Sequence, residues 1–117
     1  MSQDLHAGDI VIFQLEAGYG LLKVLGIDDN AGDRVWHLAA YNEFFPDVDF
    51  ADAAISANTL SLSHPHLALT DRAFESTQVA KMTNVPVTDD ETSRISAWRD
   101  SAGEVSDRSV RLLLGLR

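Results

Sequence analysis

GDIVIFQLEAGYGLLKVLGIDD, residues 8–29, decides the fold class. Residues 10–15 are rich in β-branched, aromatic and aliphatic side chains, and residues 21–27 repeat that character around Lys23. Two short apolar runs of this composition, separated by glycines, read as paired strands. Gly18 and Gly20 bracket Tyr19 and are expected to supply the positive φ angles of a tight connection.

Working outward, residues 28–33 form a polar turn suited by Asn30 and Gly32, and a third strand runs over residues 34–41. There Val35, His37, Ala39 and Tyr41 alternate with Trp36, Leu38 and Ala40, so both faces are partly apolar. Three successive antiparallel strands make a curved meander, the usual start of a small barrel. Pro46 ends the pairing. Residues 47–57 lack strand alternation, and Ala51, Ala53, Ala54 and Ile55 suit a short helix or an irregular excursion. Residues 66–69 read as a short strand, with Thr70 capping one helical turn. Residues 76–88 are extended in character, led by Val79 and Val85, with their pairing left open.

The last third switches to helical grammar. Thr88 with Glu91 three positions on is a capping box, and Asp89 and Asp90 favour the positive end of the helix dipole. Ile95 and Trp98 form the inward stripe, and Gly103 can end the helix. In the next segment Ser106 is the expected cap, Val105 and Val110 a hydrophobic staple, and Val110, Leu113 and Leu114 the buried face before Gly115. The expected fold is mainly β (α+β): a small bent antiparallel sheet or SH3-like barrel over about residues 7–85, then two short helices within 88–117. Residues 1–117 make one domain, without internal repeats or low-complexity segments.

Of the 117 residues, 45% are hydrophobic and 23% charged, the proportions of a globular chain that can bury a core. The absence of cysteine excludes disulfides, thiolate zinc sites and cysteine nucleophiles. MSQDLHAGD has neither a basic nor an apolar leader, and the longest apolar runs, 10–13 and 112–114, fall far short of the ~20 residues of a membrane span. The expectation is a cytoplasmic protein without membrane contact. Net charge is −9, and residues 28–52 hold seven acids against one base. Such a field repels phosphate backbones, which argues against nucleic acid, and attracts a basic protein.

Candidate sites follow from the same residues. His64 and His66 flank Pro65, and in an extended segment both would share a face. With His37 or an acid from the Asp47 cluster they could hold a metal, although two histidines without a fixed third ligand make a solvated surface turn the favoured reading. Counting a calcium loop from Asp47 puts Asp52 at the glycine position and Asn58 at the closing acid, so that pattern fails. No Gly-x-Ser-x-Gly elbow and no glycine-rich phosphate loop is present, and no cofactor is implied. Trp36, Tyr41, Phe44, Phe45 and Phe50 are five of the nine aromatics within fifteen positions. Most should fill the core. Phe44 and Phe45 are adjacent, however, and an extended backbone sends them to opposite faces. An aromatic held among acids is a recipe for a protein contact, and the binding candidates are Tyr41, Phe44, Phe45, Asp47, Asp49, Phe50 and Asp52.

The opening GDIVIFQLEAGYGLLKVLGI resembles the first quarter of small SH3-like barrels, among them immunity proteins of bacterial polymorphic-toxin systems. It is also similar to small bacterial proteins of unknown function that continue with a segment like VWHLAAYNEFFPD. GDIV likewise resembles toxin endoribonucleases built on this barrel, which hold RNA with basic residues; the acidic 28–52 window departs from that pattern. The resemblance implies a bacterial, non-enzymatic module that binds a protein, a basic toxin in its sharpest form. The alternatives are a small metal- or ligand-binding enzyme using His37, His64 and His66, and a homo-oligomer joined through residues 112–114.

Overall fold

The computed structural model describes residues 5–30, 33–101 and 103–115. Five strands, β1 (Asp9–Leu15), β2 (Gly18–Asn30), β3 (Asp33–Tyr41), β4 (Leu62–Thr70) and β5 (Val79–Asn84), form one antiparallel sheet in the order β4-β3-β2-β1-β5. Helix α1 (Val48–Ala57) joins β3 to β4, α2 (Asp71–Glu75) joins β4 to β5, and α3 (Asp89–Asp100) and α4 (Val110–Leu114) follow. The sheet has β4 and β5 as its edges, so it is not closed into a barrel. The stretch 7–85 also contains two helices. No described helix is long and apolar enough to cross a membrane.

The β1–β2 pairing sets the frame, from Ile10↔Lys23 to Leu15↔Gly18, leaving Glu16 and Ala17 as the connection. The expectation for the two glycines holds for one of them: Gly18 has a φ of +159°, whereas Gly20 does not have a positive φ. They are needed for space: a Cβ on Gly18 would stand 2.6 Å from the Phe45 carbonyl oxygen, and one on Gly20 would stand 2.6 Å from Phe13 Cζ. Of the expected turn at Asn30 and Gly32, Gly32 lies outside the described residues; the strands pair as far as Asn30↔Asp33.

Strand alternation then builds two apolar faces. On the first, Val11, Phe13, Leu22, Val24, Trp36, Leu38 and Leu69 pack with Ala73 and Phe74 of α2 and Val110 of α4. Trp36 and Phe74 stack with ring centroids 4.3 Å apart, and the buried indole N–H donates to Asp71 at 2.7 Å. On the second face the apolar residues fall into two groups. Ile10, Ile12 and Leu21 lie with Ala51 of α1, while Leu25 and Ala39 lie with Ile95 of α3.

Helix α3 is held chiefly by polar ties. Its capping box forms as the sequence requires, with Thr88 and Glu91 exchanging hydrogen bonds. Glu91 also pairs with Lys23 at 2.8 Å, Arg94 donates to the Pro65 carbonyl at 3.1 Å, and Arg99 donates to Asp28 at 2.6 Å. The helix ends at its cap Ser101, ahead of Gly103. At the C-terminal end the expected cap moves. Ser109, whose hydroxyl accepts from Leu112 N–H, begins α4, whereas Ser106 forms a parallel bridge with Leu69 that covers part of the β4 edge. Val105 is 39% exposed, and with the cap at Ser109 it no longer holds the position before the cap that a staple to Val110 requires. Leu113 and Leu114 pack on the first face, and Gly115 follows with φ +69°.

Gly18→Ala should force the Phe45 carbonyl away and destabilise the fold by about 1–3 kcal/mol, the usual cost of overpacking. Urea unfolding of the variant measures it.

Candidate functional site

Residues 42–52 leave the sheet at the end of β3, and their backbone is fixed at two points. Phe45 N–H donates to the Tyr19 carbonyl at 2.9 Å, and Tyr19 N–H returns a bond to Phe45 at 2.8 Å. On the other side, Asn42 N–H donates to the Ser61 carbonyl, and the Glu43 carboxylate accepts from both the N–H and the hydroxyl of Ser61. Phe44 stands between these anchors. Phe45 turns inward onto the second-face cluster, so its neighbour must turn outward, and Phe44 is 51% exposed. Asp47 then caps α1 by accepting from Phe50 N–H at 3.0 Å, so the candidate acidic loop is in fact a helix start. Phe50 follows at 60% exposure, with Val48 also exposed and Asp49 and Asp52 on the solvent side of the same helix.

Of the seven binding candidates, five therefore face water: Phe44, Asp47, Asp49, Phe50 and Asp52. Phe45 serves packing. Tyr41 is half-buried in a cleft between α1 and α3 and not on this surface, and burial followed by the nearby Glu91 charge pushes its pKa up to about 12. Such an arrangement can seat exposed rings in apolar pockets of a partner while the acids meet a basic rim. Leu112, at 70% exposure, is the outward member of the 112–114 stripe; the other two pack on their own chain.

The histidines sort differently from expectation. Between Leu38 and Ala40 the β3–β4 register takes up an extra residue on β4, because Leu38 pairs with Leu67 but Ala40 pairs with His64, and a second shift follows before Tyr41↔Leu62. That bulge puts His64 on the face of Ala40, beside Ser63, and His66 on the opposite face against His37. The shared face expected for His64 and His66 is thus lost at Pro65. Among the described residues no group of three or more His, Asp or Glu is placed to hold a metal ion.

In its place stands a chain of hydrogen bonds. Fully buried His37 lies 3.0 Å through Nε2 from Asp28 and 2.8 Å through Nδ1 from His66 Nε2. Trp98 meets the His37 ring edge-on at 4.7 Å. Asp28 is also held by Arg99, and although burial acts to raise its pKa, the bonds from Arg99 and His37 outweigh it and keep the carboxylate ionised. An ionised carboxylate only accepts, so His37 Nε2 carries a proton. The bond between His37 Nδ1 and His66 Nε2 needs a proton on one of these two nitrogens, so the two rings are coupled through a single hydrogen. Burial, then the His37 and Arg94 charges, press the His66 pKa down to about 4. His66 lines an open cleft of about 650 Å³ together with Trp98 and Glu104. A histidine inside an apolar strand, at Trp36-His37-Leu38, was the sequence signal for this chain; Asp28 and Trp98 carried none.

Compared with known proteins, the chain matches no family model, and no curated protein or solved structure matches it either.

The low His66 pKa carries a sign. Its folded value of about 4 lies below the ordinary 6.5, so the unfolded chain takes up the proton first. The stability involved is complete above pH 6.5 and is lost as the pH falls toward 4. Urea midpoints measured at steps between pH 7 and pH 4 should decline in the parent chain and decline less in His66→Gln. Equal slopes would assign the effect to another group.

Proposed function

We propose that the protein is a non-enzymatic interaction module that binds a basic protein through the surface formed by Phe44, Phe50 and the surrounding acids. The observation that carries this reading is Phe44, an aromatic ring exposed between two hydrogen-bonded anchors. Ordering a side chain on binding costs about 0.5–1.5 kcal/mol, and a ring on a backbone already fixed reduces the ordering left to do. Glu43, Asp47, Asp49 and Asp52 around it add to the acidic 28–52 window, which would speed the encounter with a positive surface. The sharpest version is an immunity protein neutralising a basic toxin, in keeping with the resemblance of residues 8–27; an open sheet whose last strand returns to β1 is compatible with the SH3-like part of that resemblance. A homo-oligomer through Leu112 is the competing proposal, and it rests on one exposed leucine.

A photoreactive phenylalanine at position 44, expressed in the source cell, should crosslink to a basic protein. With that protein purified, Phe44→Ala/Phe50→Ala should weaken binding about 30-fold or more, the size of a hot-spot loss of ~2 kcal/mol. Asp49→Lys/Asp52→Lys should mainly slow association and reduce its salt dependence. Asp47 is left intact because it caps α1. Unchanged affinity of the Phe44→Ala/Phe50→Ala protein would refute the surface.

A further inference from the structure

Lys23 occupies a position that the sheet would otherwise fill with an apolar side chain. Its same-face neighbours along β2 are Leu21 and Leu25, and its partners across the sheet are Ile10 and Ala39. An aliphatic residue there would join the two apolar groups of the second face, which are now separate. Instead the ammonium, whose side chain is 5% exposed, meets Glu91, whose side chain is 10% exposed. Replacing such a buried pair with apolar residues is often neutral or stabilising, so stability is a weak reason for keeping it.

The pair borders the cleft of about 440 Å³ between α1 and α3. Lys23 uses two of its three donors, on Glu91 Oε1 and, at 3.5 Å, on the Pro86 carbonyl. Glu91 Oε1 also accepts from Thr88 N–H, while Oε2 takes no hydrogen bond from any described residue. The Tyr41 hydroxyl has no hydrogen-bond partner among the described residues either, and none of their buried polar side-chain atoms is left unsatisfied, so this oxygen is accessible, on a residue that lines the cleft. Arg94 on the rim is balanced by Asp90 at 2.9 Å. The polar end of the cleft thus offers donors and acceptors side by side, with its charges cancelled in pairs. Ile10, Ile55, Leu60 and Val85 supply an aliphatic wall.

We infer that this cleft binds a small neutral molecule whose head group both donates and accepts, an amide or lactam on an aliphatic body. The carbonyl oxygen accepts from the Tyr41 hydroxyl, and the amide N–H donates to Glu91 Oε2. A carboxylate head would face the Glu91 charge, and an ammonium head would face Lys23 and Arg94, so both are disfavoured against the neutral head. The site uses the C-terminal end of α1 and does not depend on the protein-contact surface at its start.

Three probes with one ring and different heads test it: cyclohexanecarboxamide, cyclohexanecarboxylate and cyclohexylmethylammonium, each titrated into the full chain and followed by amide NMR shifts. The amide should give saturable shifts at Lys23, Tyr41, Leu60 and Val85 and bind more tightly than both ions. Tyr41→Phe should weaken it about fivefold, the worth of one net hydrogen bond. Lys23→Met/Glu91→Gln, which keeps a residue able to close the capping box, should stay folded and lose the preference for the amide. No saturable binding, an ion bound as tightly as the amide, or Tyr41→Phe bound as tightly as the parent would each overturn the inference. So would a preference that survives in Lys23→Met/Glu91→Gln.

Discussion

Burial of the β1–β2–β3 meander on both faces is the constraint from which the rest of the structure follows. Val11, Leu22, Leu38 and Ala40 are inaccessible on one side, and Leu21, Ala39 and His37 are as deeply buried on the other. A sheet with two apolar faces needs two covering layers, and at about 25 cal/mol per Å² each uncovered leucine costs on the order of 2 kcal/mol. A chain this short must therefore place helices on both sides with few residues. It does so by inserting α1 and α2 between strands and wrapping α3 and α4 over opposite faces.

The two layers are built from different chemistry. The first face is closed by apolar contact, with the Trp36–Phe74 stack at its centre. The second is shared between α1, packed through Ala51, and α3, which contributes Ile95 and then depends on Lys23–Glu91, Arg94–Pro65 and Arg99–Asp28. Polar attachment has a consequence for function, because it brings ionisable groups beneath a helix where water is partly excluded. The Asp28–His37–His66 chain and the open donors and acceptors beside Lys23 both arise in this way. The outward Phe44 has a separate origin, in the bridge that binds residue 45 to β2 and leaves residue 44 no inward direction.

Much of this was legible in order and kind. The meander followed from alternation in residues 10–41, the Thr88 box from its spacing, and the opposed directions of Phe44 and Phe45 from their adjacency. Tertiary contact decided the rest. Gly18 and Gly20 looked like turn residues, and Gly18 does carry a positive φ, but the approach of Phe45 and Phe13 from elsewhere in the fold also requires both. Ser106 looked like a helix cap because Ser-x-x-Ser carries the right groups twice; the β4 edge takes the first one and the helix starts at Ser109. The histidine pair failed as a shared face because one extra residue near Pro65 reverses alternation, and no local rule marks which residue a strand partner will skip.

By itself, then, the sequence determined the local elements: which segments extend, which coil into helices and where most of them begin, since those choices depend on neighbours within four residues. It also determined that the chain is acidic and where the acids gather. Only the tertiary structure decided that the sheet stays open, that Lys23 meets Glu91 sixty-eight positions away, and that His37 meets His66 while His64 does not. Those outcomes depend on register and on helix placement. Both are set by burying two faces at once, a condition on the whole chain that no short window of it contains.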